Sequence, residues 1–212
     1  MARRSSRWRT IPLGDYEGHM ALPEIGQARA IADELGRLLR TYEPRSLAVL
    51  GCSGGNGFDR ISPERTVRVV GVDLNGEYLA AVRSRHGPRL PGLELFPCDV
   101  ETDAVPFEAV ELAFAALLME YVDPSKALAF VRRSLVPGGV FGCLLQRPSE
   151  SLPAVSASPY ESLRPLASAM VLVEPESLSA LAKREGLSLR SQRTLEMPNG
   201  KILQCQIYVA AT

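Results

Sequence analysis

The chain reads as a doubly wound α/β protein: a mostly parallel sheet with helices on both faces and an antiparallel hairpin at its C-terminal end. Three observations predict this. Short apolar runs alternate with segments of helical spacing between Glu24 and Gly186, the pattern of a parallel sheet covered by crossover helices. The first apolar run, Leu47 to Leu50, passes at once into Gly51, Gly54, Gly55 and Gly57, as a buried strand does when a tight loop feeds a helix N-terminus. Finally, Pro198-Asn199-Gly200 separates two strand-like runs, and Asn-Gly favours a tight antiparallel turn.

Taken in order, the elements are as follows. Up to about Pro23 the chain is polar, and Pro12, Gly14 and Gly18 are expected to interrupt any regular pattern. From Glu24, Ile25, Ala28, Ile31, Leu35, Leu38 and Leu39 recur at helical spacing until Pro44 stops them. Beyond the glycine loop, Val67 to Val72 is a second strand ending at Asp73, and Asn75 to Arg85 is a helix stopped by His86-Gly87-Pro88. Leu93 to Phe96 is a third strand, and Val110 to Leu118 enters the core as a fourth, ending at Met119-Glu120-Tyr121. A helix over Ser125 to Leu135 precedes a Pro137-Gly138-Gly139 turn into the strand Val140 to Leu145. Residues 147–175 are rich in Ser, Pro and Ala, with Tyr160, Leu163, Leu166 and Met170 spaced for a short helix. Such an insertion after a central strand reads as a lid, since loops at the carboxyl ends of parallel strands surround the ligand crevice; a plain connector is the alternative. A helix over Glu176 to Gly186 and strands at Leu187 to Leu195 and Ile202 to Ala211 complete the chain.

With 212 residues and 46% hydrophobic content, one large core is expected, so 1–212 is read as a single domain with an N-terminal arm and helix over 1–45. The 24 Lys and Arg balance 24 Asp and Glu, which leaves no overall field favouring nucleic acid or a membrane. Arg3, Arg4, Arg7 and Arg9 nevertheless crowd around Trp8, either as an arm for an anionic partner or as a solvated terminus. Cys52, Cys98, Cys143 and Cys205 are scattered, without the C-x-x-C pairing of a zinc site or redox motif, and the two histidines lie far apart, so no metal is expected. The longest apolar run, Leu112 to Met119, is less than half of what spans a bilayer, and the chain is read as soluble and cytoplasmic.

A P-loop would need Lys-Ser or Lys-Thr after the glycines, and a dinucleotide fingerprint counted from Gly51 would need glycine where Ser53 and Asn56 stand. Pyrophosphate binding is therefore disfavoured. Asp73, a little over 20 residues beyond Gly51, is positioned to accept bonds from both ribose hydroxyls, and Asp99 ends the third strand on the same edge, within reach of an exocyclic amine. Together they describe a nucleoside held without a phosphate site.

Over roughly Leu47 to Leu145 the sequence resembles the class I S-adenosylmethionine-dependent methyltransferases, in LAVLGCSGGNG, VVGVDLN, PCDV, ELAFAALLMEYVDP and LVPGGVF, in that order. The resemblance implies a seven-stranded sheet whose last strand is antiparallel and S-adenosylmethionine as cofactor. It implies that Gly51, Ser53 and Gly55 approach the methionine part, that Asp73 takes the ribose, and that Asp99 with Val100 meets the adenine. Cys52, Leu74, Ala115 and Ala116 complete the expected cofactor set. Val49 departs from the family's usual acid two positions before the first loop glycine, and Ser53 replaces its second glycine.

Methyl transfer from a sulfonium needs alignment and shielding more than a covalent nucleophile. A general base would assist a hydroxyl or carbon acid, and His19 and Glu120 are the candidates, with Tyr16, Tyr121 and Tyr160 as further ones and as the expected substrate contacts. A small-molecule acceptor is the first reading. The alternatives are a non-catalytic protein that keeps the nucleoside site, an RNA methyltransferase and an NAD-dependent oxidoreductase.

Overall fold

A computed structural model of the protein describes residues 4–212; Arg3 of the arginine cluster lies outside the described residues. Seven strands form one sheet in the order β3-β2-β1-β4-β5-β7-β6. They are β1 (Ser46–Leu50), β2 (Arg68–Asp73), β3 (Leu93–Pro97), β4 (Val110–Ala116), β5 (Leu135–Gln146), β6 (Leu187–Glu196) and β7 (Ile202–Ala210). The first five pair in parallel, while β7 runs antiparallel to both β5 and β6. The expected C-terminal hairpin is therefore present, with β7 slotted between β5 and β6.

Two-residue periodicity separates the faces of the sheet. Leu47 and Val49 of β1, Val69 of β2 and Phe114 of β4 pack with Ile31, Leu35 and Leu38 of α2 (Gln27–Tyr42) and with Leu79 and Val82 of α3 (Gly76–His86). Ala48, Leu50, Val70 and Ala113 turn the other way, onto Leu128 and Val131 of α4 (Pro124–Ser134) and Leu178 and Ala182 of α6 (Pro175–Arg184). Successive connections pass to opposite sides of β1, so the strand order reverses between β1 and β4. In open α/β sheets the ligand crevice lies outside the carboxyl ends of the strands at such a point.

Boundaries move where side chains satisfy backbone ends. Asn75 Oδ1 accepts from Glu77 N at 3.0 Å, and Asp123 Oδ1 accepts from Ser125 N at 2.9 Å, so both helices start at caps flanking the apolar spacing. Pro137-Gly138-Gly139 is not a turn ahead of β5. Leu135 already pairs with Val110, and the register shifts between Val110 and Leu112 to absorb the irregular stretch.

The N-terminal segment corrects the expectation of an irregular opening. Arg4–Thr10 is a 3₁₀ helix and Leu13–Ala21 is α1. Pro12 stands at the N-cap, where its missing N–H costs nothing, and Gly14 and Gly18 lie inside the helix. A β-carbon at Gly18 would come within 2.2 Å of the Tyr160 hydroxyl, so this glycine lets the 147–175 insertion close onto α1. That insertion contains a 3₁₀ turn, Glu161–Leu163, and the short α5 (Arg164–Ala167), within the expected helical stretch. Ile11, Tyr121, Leu163, Leu166 and Ala169 form its own buried cluster, with Trp8, Tyr16 and Tyr160 packed against it. Among the described residues no helix is long and apolar enough to cross a membrane.

Candidate active site

The glycine loop is fixed by backbone geometry. As β1 ends, the N–H groups of Gly51 and Cys52 both donate to the Val72 carbonyl, at 2.8 and 3.0 Å, which folds the loop over the end of β2. Gly51 has φ +68°, and an added β-carbon would press on Leu118 at 3.2 Å. Ser53 also takes a left-handed conformation, φ 49°, which costs a side-chain-bearing residue on the order of 1–2 kcal/mol. What holds it there is Asp73: Oδ2 accepts from Ser53 N at 2.9 Å and Oδ1 from Asn75 N at 2.9 Å. Burial pushes the Asp73 carboxyl up from its ordinary value, against the pull of the backbone donors. Asp73 thus ties the glycine loop to the start of α3, and with the Leu74 backbone also donating to it, the carboxylate keeps part of its acceptor capacity for a ligand.

Three adjoining cavities open at these strand ends. The first, about 620 Å³ with its mouth included, is lined by Gly51, Ser53, Asp73, Leu74, Asp99 and Val100, and by Ala116 on the far wall. At its edge Asp99 Oδ1 accepts from Glu101 N at 3.0 Å, which orients that carboxylate at the end of β3. The second cavity follows the loop itself, along Val49, Cys52, Gly55 and Glu17. The third lies under the insertion, between His19, Gln27, Tyr121, Met170 and Lys201. Tyr16 of α1 lines all three.

Most of the cofactor residues expected from the sequence therefore gather on the first two cavities. Ala115 does not: it is buried in the sheet opposite Cys143 and lines none of the three, whereas its neighbour Ala116 lines the first two. Cys52 is buried, and its thiol is pushed well up by desolvation, so it is a packing residue and no thiolate.

Among the candidate bases the structure separates His19 from Glu120. His19, 8% exposed, faces the third cavity, with Nδ1 buried and without a hydrogen-bond partner. Burial, and then the Lys201 ammonium, hold its pKa below the ordinary value, so it is neutral near pH 7 and able to accept a proton. Glu120 lines none of the cavities. It is fully buried, and Oε1 accepts from Gln146 N at 2.7 Å while Oε2 has no partner. Burial lifts its pKa to about 7. Its carbonyl accepts from Val171 N at 2.8 Å, so Glu120 braces the insertion from beneath and does not face an acceptor. Tyr121 lines the first and third cavities, but burial pushes the phenols of both Tyr16 and Tyr121 up, so they stay protonated and do not act as bases. Tyr160 packs over Gly18 and lines none of these three cavities, so it holds the insertion against α1.

Several wall residues were missed. Trp8 meets Tyr16 and Tyr121 edge to face, with ring centroids 5.1 and 5.0 Å apart, and lines the first and third cavities. The arm is latched to its own chain: Arg4 Nη2 donates to the Val122 carbonyl at 2.6 Å, Ser5 Oγ to Glu101 Oε2 at 2.7 Å, and Tyr78 Oη to the Ile11 carbonyl at 2.8 Å. The Trp8 in the arginine cluster was the available signal, a large apolar side chain in an otherwise polar segment. Lys201 gave no signal, because a lysine after Asn-Gly reads as a solvated turn residue. Among the described residues no cluster of His, Cys, Asp and Glu could hold a metal, and all four cysteines are buried and unbridged.

Residues 48–143 match the model of a family described as a methyltransferase domain. No curated protein matches the chain. Among solved structures, the N-methyltransferase NodS from Bradyrhizobium japonicum WM9, in complex with S-adenosyl-L-homocysteine, is 15% identical, with a TM-score of 0.74 and 100% of each chain covered. A methyltransferase described as S-adenosylmethionine-dependent, from Mesorhizobium loti, is 19% identical, with a TM-score of 0.62, covering 89% of this chain and 98% of its own. The [4+2]-cyclase SpnF is 13% identical, with a TM-score of 0.65, covering 85% of this chain and 82% of its own. Residues 48–143 are therefore similar to a methyltransferase domain, and the chain as a whole has the class I, Rossmann-like methyltransferase fold.

Proposed function

We propose that the protein is an S-adenosylmethionine-dependent methyltransferase acting on a small-molecule acceptor. The observation that carries this reading is the first cavity, where Gly51, Ser53, Asp73, Asp99 and Val100 converge from three strand ends beside a second cavity along the loop. The residues fit the cofactor: the Ser53 hydroxyl is buried and unpartnered at the junction of the two cavities, and Asp73 retains acceptor capacity towards a ribose. Asp73 would hold the ribose, Asp99 and Val100 the adenine, and the Gly51–Gly55 loop the methionine end. When bound there, S-adenosylmethionine supplies a methyl group already activated by its sulfonium. The chain's own task is then to align an acceptor and exclude water, and the Trp8, Tyr16 and Tyr121 rings that separate the first cavity from the third serve both. His19 is a neutral imidazole on the acceptor side with Nδ1 unpartnered, and its unprotonated ring nitrogen would take a proton from a hydroxyl or amine.

Binding without transfer is a second reading, favoured by Val49, which lines the loop cavity where the family's usual acid is missing. Against it, α1 brings the Glu17 carboxylate into the same cavity, paired with Arg85 through Oε2 at 3.0 Å. That ion pair matches the ammonium and carboxylate of an amino-acid moiety. Calorimetric titration with S-adenosylhomocysteine and with NAD tests the donor site, and binding of NAD alone would sink the proposal. Incubation with methyl-labelled donor and fractionated metabolites tests transfer. Label in small molecules is expected; label confined to RNA would overturn the acceptor class, and donor binding without any labelled product would favour the second reading.

A further inference from the structure

The third cavity holds a buried cation. Lys201, 5% exposed, stands just before β7 and turns its ammonium inward. Nζ donates to Ala154 O at 2.7 Å and to Gln146 Oε1 at 3.3 Å, both neutral acceptors. Among the described residues no carboxylate forms an ion pair with it. An ammonium has three donors, so one is left over. Buried charges are ordinarily paired, because desolvating an ion without a counter-ion is costly. Desolvation lowers the Lys201 pKa only to about 8, so the charge persists at neutral pH.

The rest of the cavity makes that charge selective. Its lining contains no Asp or Glu. His19 stands on the same lining, and its Nδ1 is buried without a hydrogen-bond partner; a neutral imidazole has one ring nitrogen that accepts and one that donates, where the Lys201 ammonium only donates. The same lining carries the Trp8, Tyr16 and Tyr121 rings, with Met170, Leu163 and Leu166 on the side of the insertion. Aromatic faces and edges of this kind favour a flat unsaturated ring over an aliphatic chain.

We infer that this cavity receives the acceptor as a small aromatic acid, its carboxylate on the Lys201 ammonium and a ring hydroxyl or amine towards His19. The inference rests on the methyltransferase reading, because the rings that would sandwich the acid also wall the donor cavity. Lys201 is in this account a binding residue, and its neutral partners Gln146 and Ala154 position it while leaving its charge uncompensated for the ligand.

The test is calorimetric titration of the full chain, saturated with S-adenosylhomocysteine, using 4-hydroxybenzoate and its neutral isostere 4-hydroxybenzamide as probes. A charge-assisted contact at a buried site should make the acid bind at least about tenfold more tightly than the amide. Lys201→Met should erase that preference and Lys201→Arg should keep most of it, with S-adenosylhomocysteine affinity unchanged in both, which also shows that the variants are folded. Equal affinity for acid and amide in the unaltered protein, the same preference surviving in Lys201→Met, or binding of neither probe to the S-adenosylhomocysteine complex would each overturn the inference while leaving the donor site standing. Failure to bind S-adenosylhomocysteine at all would overturn the function proposed above and this inference with it.

Discussion

On the glycine-loop side of the crevice, polar groups are tied to backbone close to the ends of neighbouring strands: Gly51 and Cys52 to Val72, Ser53 to Asp73, Asp73 to Asn75. On the side of the insertion they come from stretches far apart in the chain, with His19 on α1, Lys201 just before β7, and Trp8 and Met170 from the two covering segments. The first side is rigid because the sheet makes it so. The second exists only once the arm and the insertion have packed onto it, through side-chain contacts and latches such as Ser162 Oγ to Asp15 Oδ2 at 2.6 Å. A site of this kind can keep its donor half constant while its acceptor half varies, since loops at the strand ends carry specificity on an unchanged scaffold.

The largest effect should come from breaking the rigid side. Asp73→Ala removes the acceptor for Ser53 N and Asn75 N as well as the proposed ribose contact. Hydrogen bonds to charged groups are worth about 1.5–3 kcal/mol each, so a loss of about 4 kcal/mol, roughly a thousandfold in S-adenosylhomocysteine affinity, is expected by calorimetry. An unchanged Kd would mean that the ribose lies elsewhere.

Glu120 sits where the two sides join, holding Gln146 N through its carboxylate and Val171 N through its carbonyl. Its pKa is raised by burial from 4.5 to about 7, so the stability this group contributes is full below pH 4.5 and is lost as the pH rises through about 7. Glu120→Gln should lack that decline. At about 1.4 kcal/mol for each pH unit, the variant should gain on the unaltered protein by about 3 kcal/mol between pH 4.5 and pH 8.5 in urea unfolding. A difference that does not change with pH would show that the carboxylate is solvated or paired.

The lid side should yield more gently. Trp8→Ala removes two edge-to-face contacts, each worth about 0.5–1.5 kcal/mol beyond the area buried. Trypsin should then cut at Arg7 or Arg9 roughly tenfold faster, as expected for about 1.4 kcal/mol of lost latching, and S-adenosylhomocysteine affinity should change far less than in Asp73→Ala. Equal cleavage rates would place the hold on the arm in its hydrogen bonds alone.

The same contrast explains what the sequence could and could not disclose. The β-strands and their ligand-edge carboxylates are legible because an apolar run followed by glycines or by Asp73 is a local pattern with a local cause. α1 was not legible: Pro12, Gly14 and Gly18 look like breakers until Pro12 is seen at the N-cap and Gly18 beneath the Tyr160 ring. Glu120 misled for a related reason, since its place after β4 follows from sequence but its inward direction depends on Gln146, a neighbouring strand's end. Lys201 depends on the insertion folding back over it, through the Ala154 carbonyl. Long-range packing of this kind leaves no periodicity to read.

The smallest effect should come from the residue that departs from the family's loop pattern. Ser53 pays the left-handed φ of 49° and carries a buried hydroxyl without a partner, two costs that glycine would avoid. Ser53→Gly relieves the strain but gives the unfolded chain more freedom, terms of about 1 kcal/mol that oppose each other, so Tm should move by no more than about 2 °C. If the hydroxyl persists because it meets the donor, S-adenosylhomocysteine should bind about fivefold more weakly to the variant, the loss of one hydrogen bond of about 1 kcal/mol. Equal or tighter binding would show that the donor side works through its backbone and carboxylates alone, and would make the contrast between the two sides of the crevice sharper still.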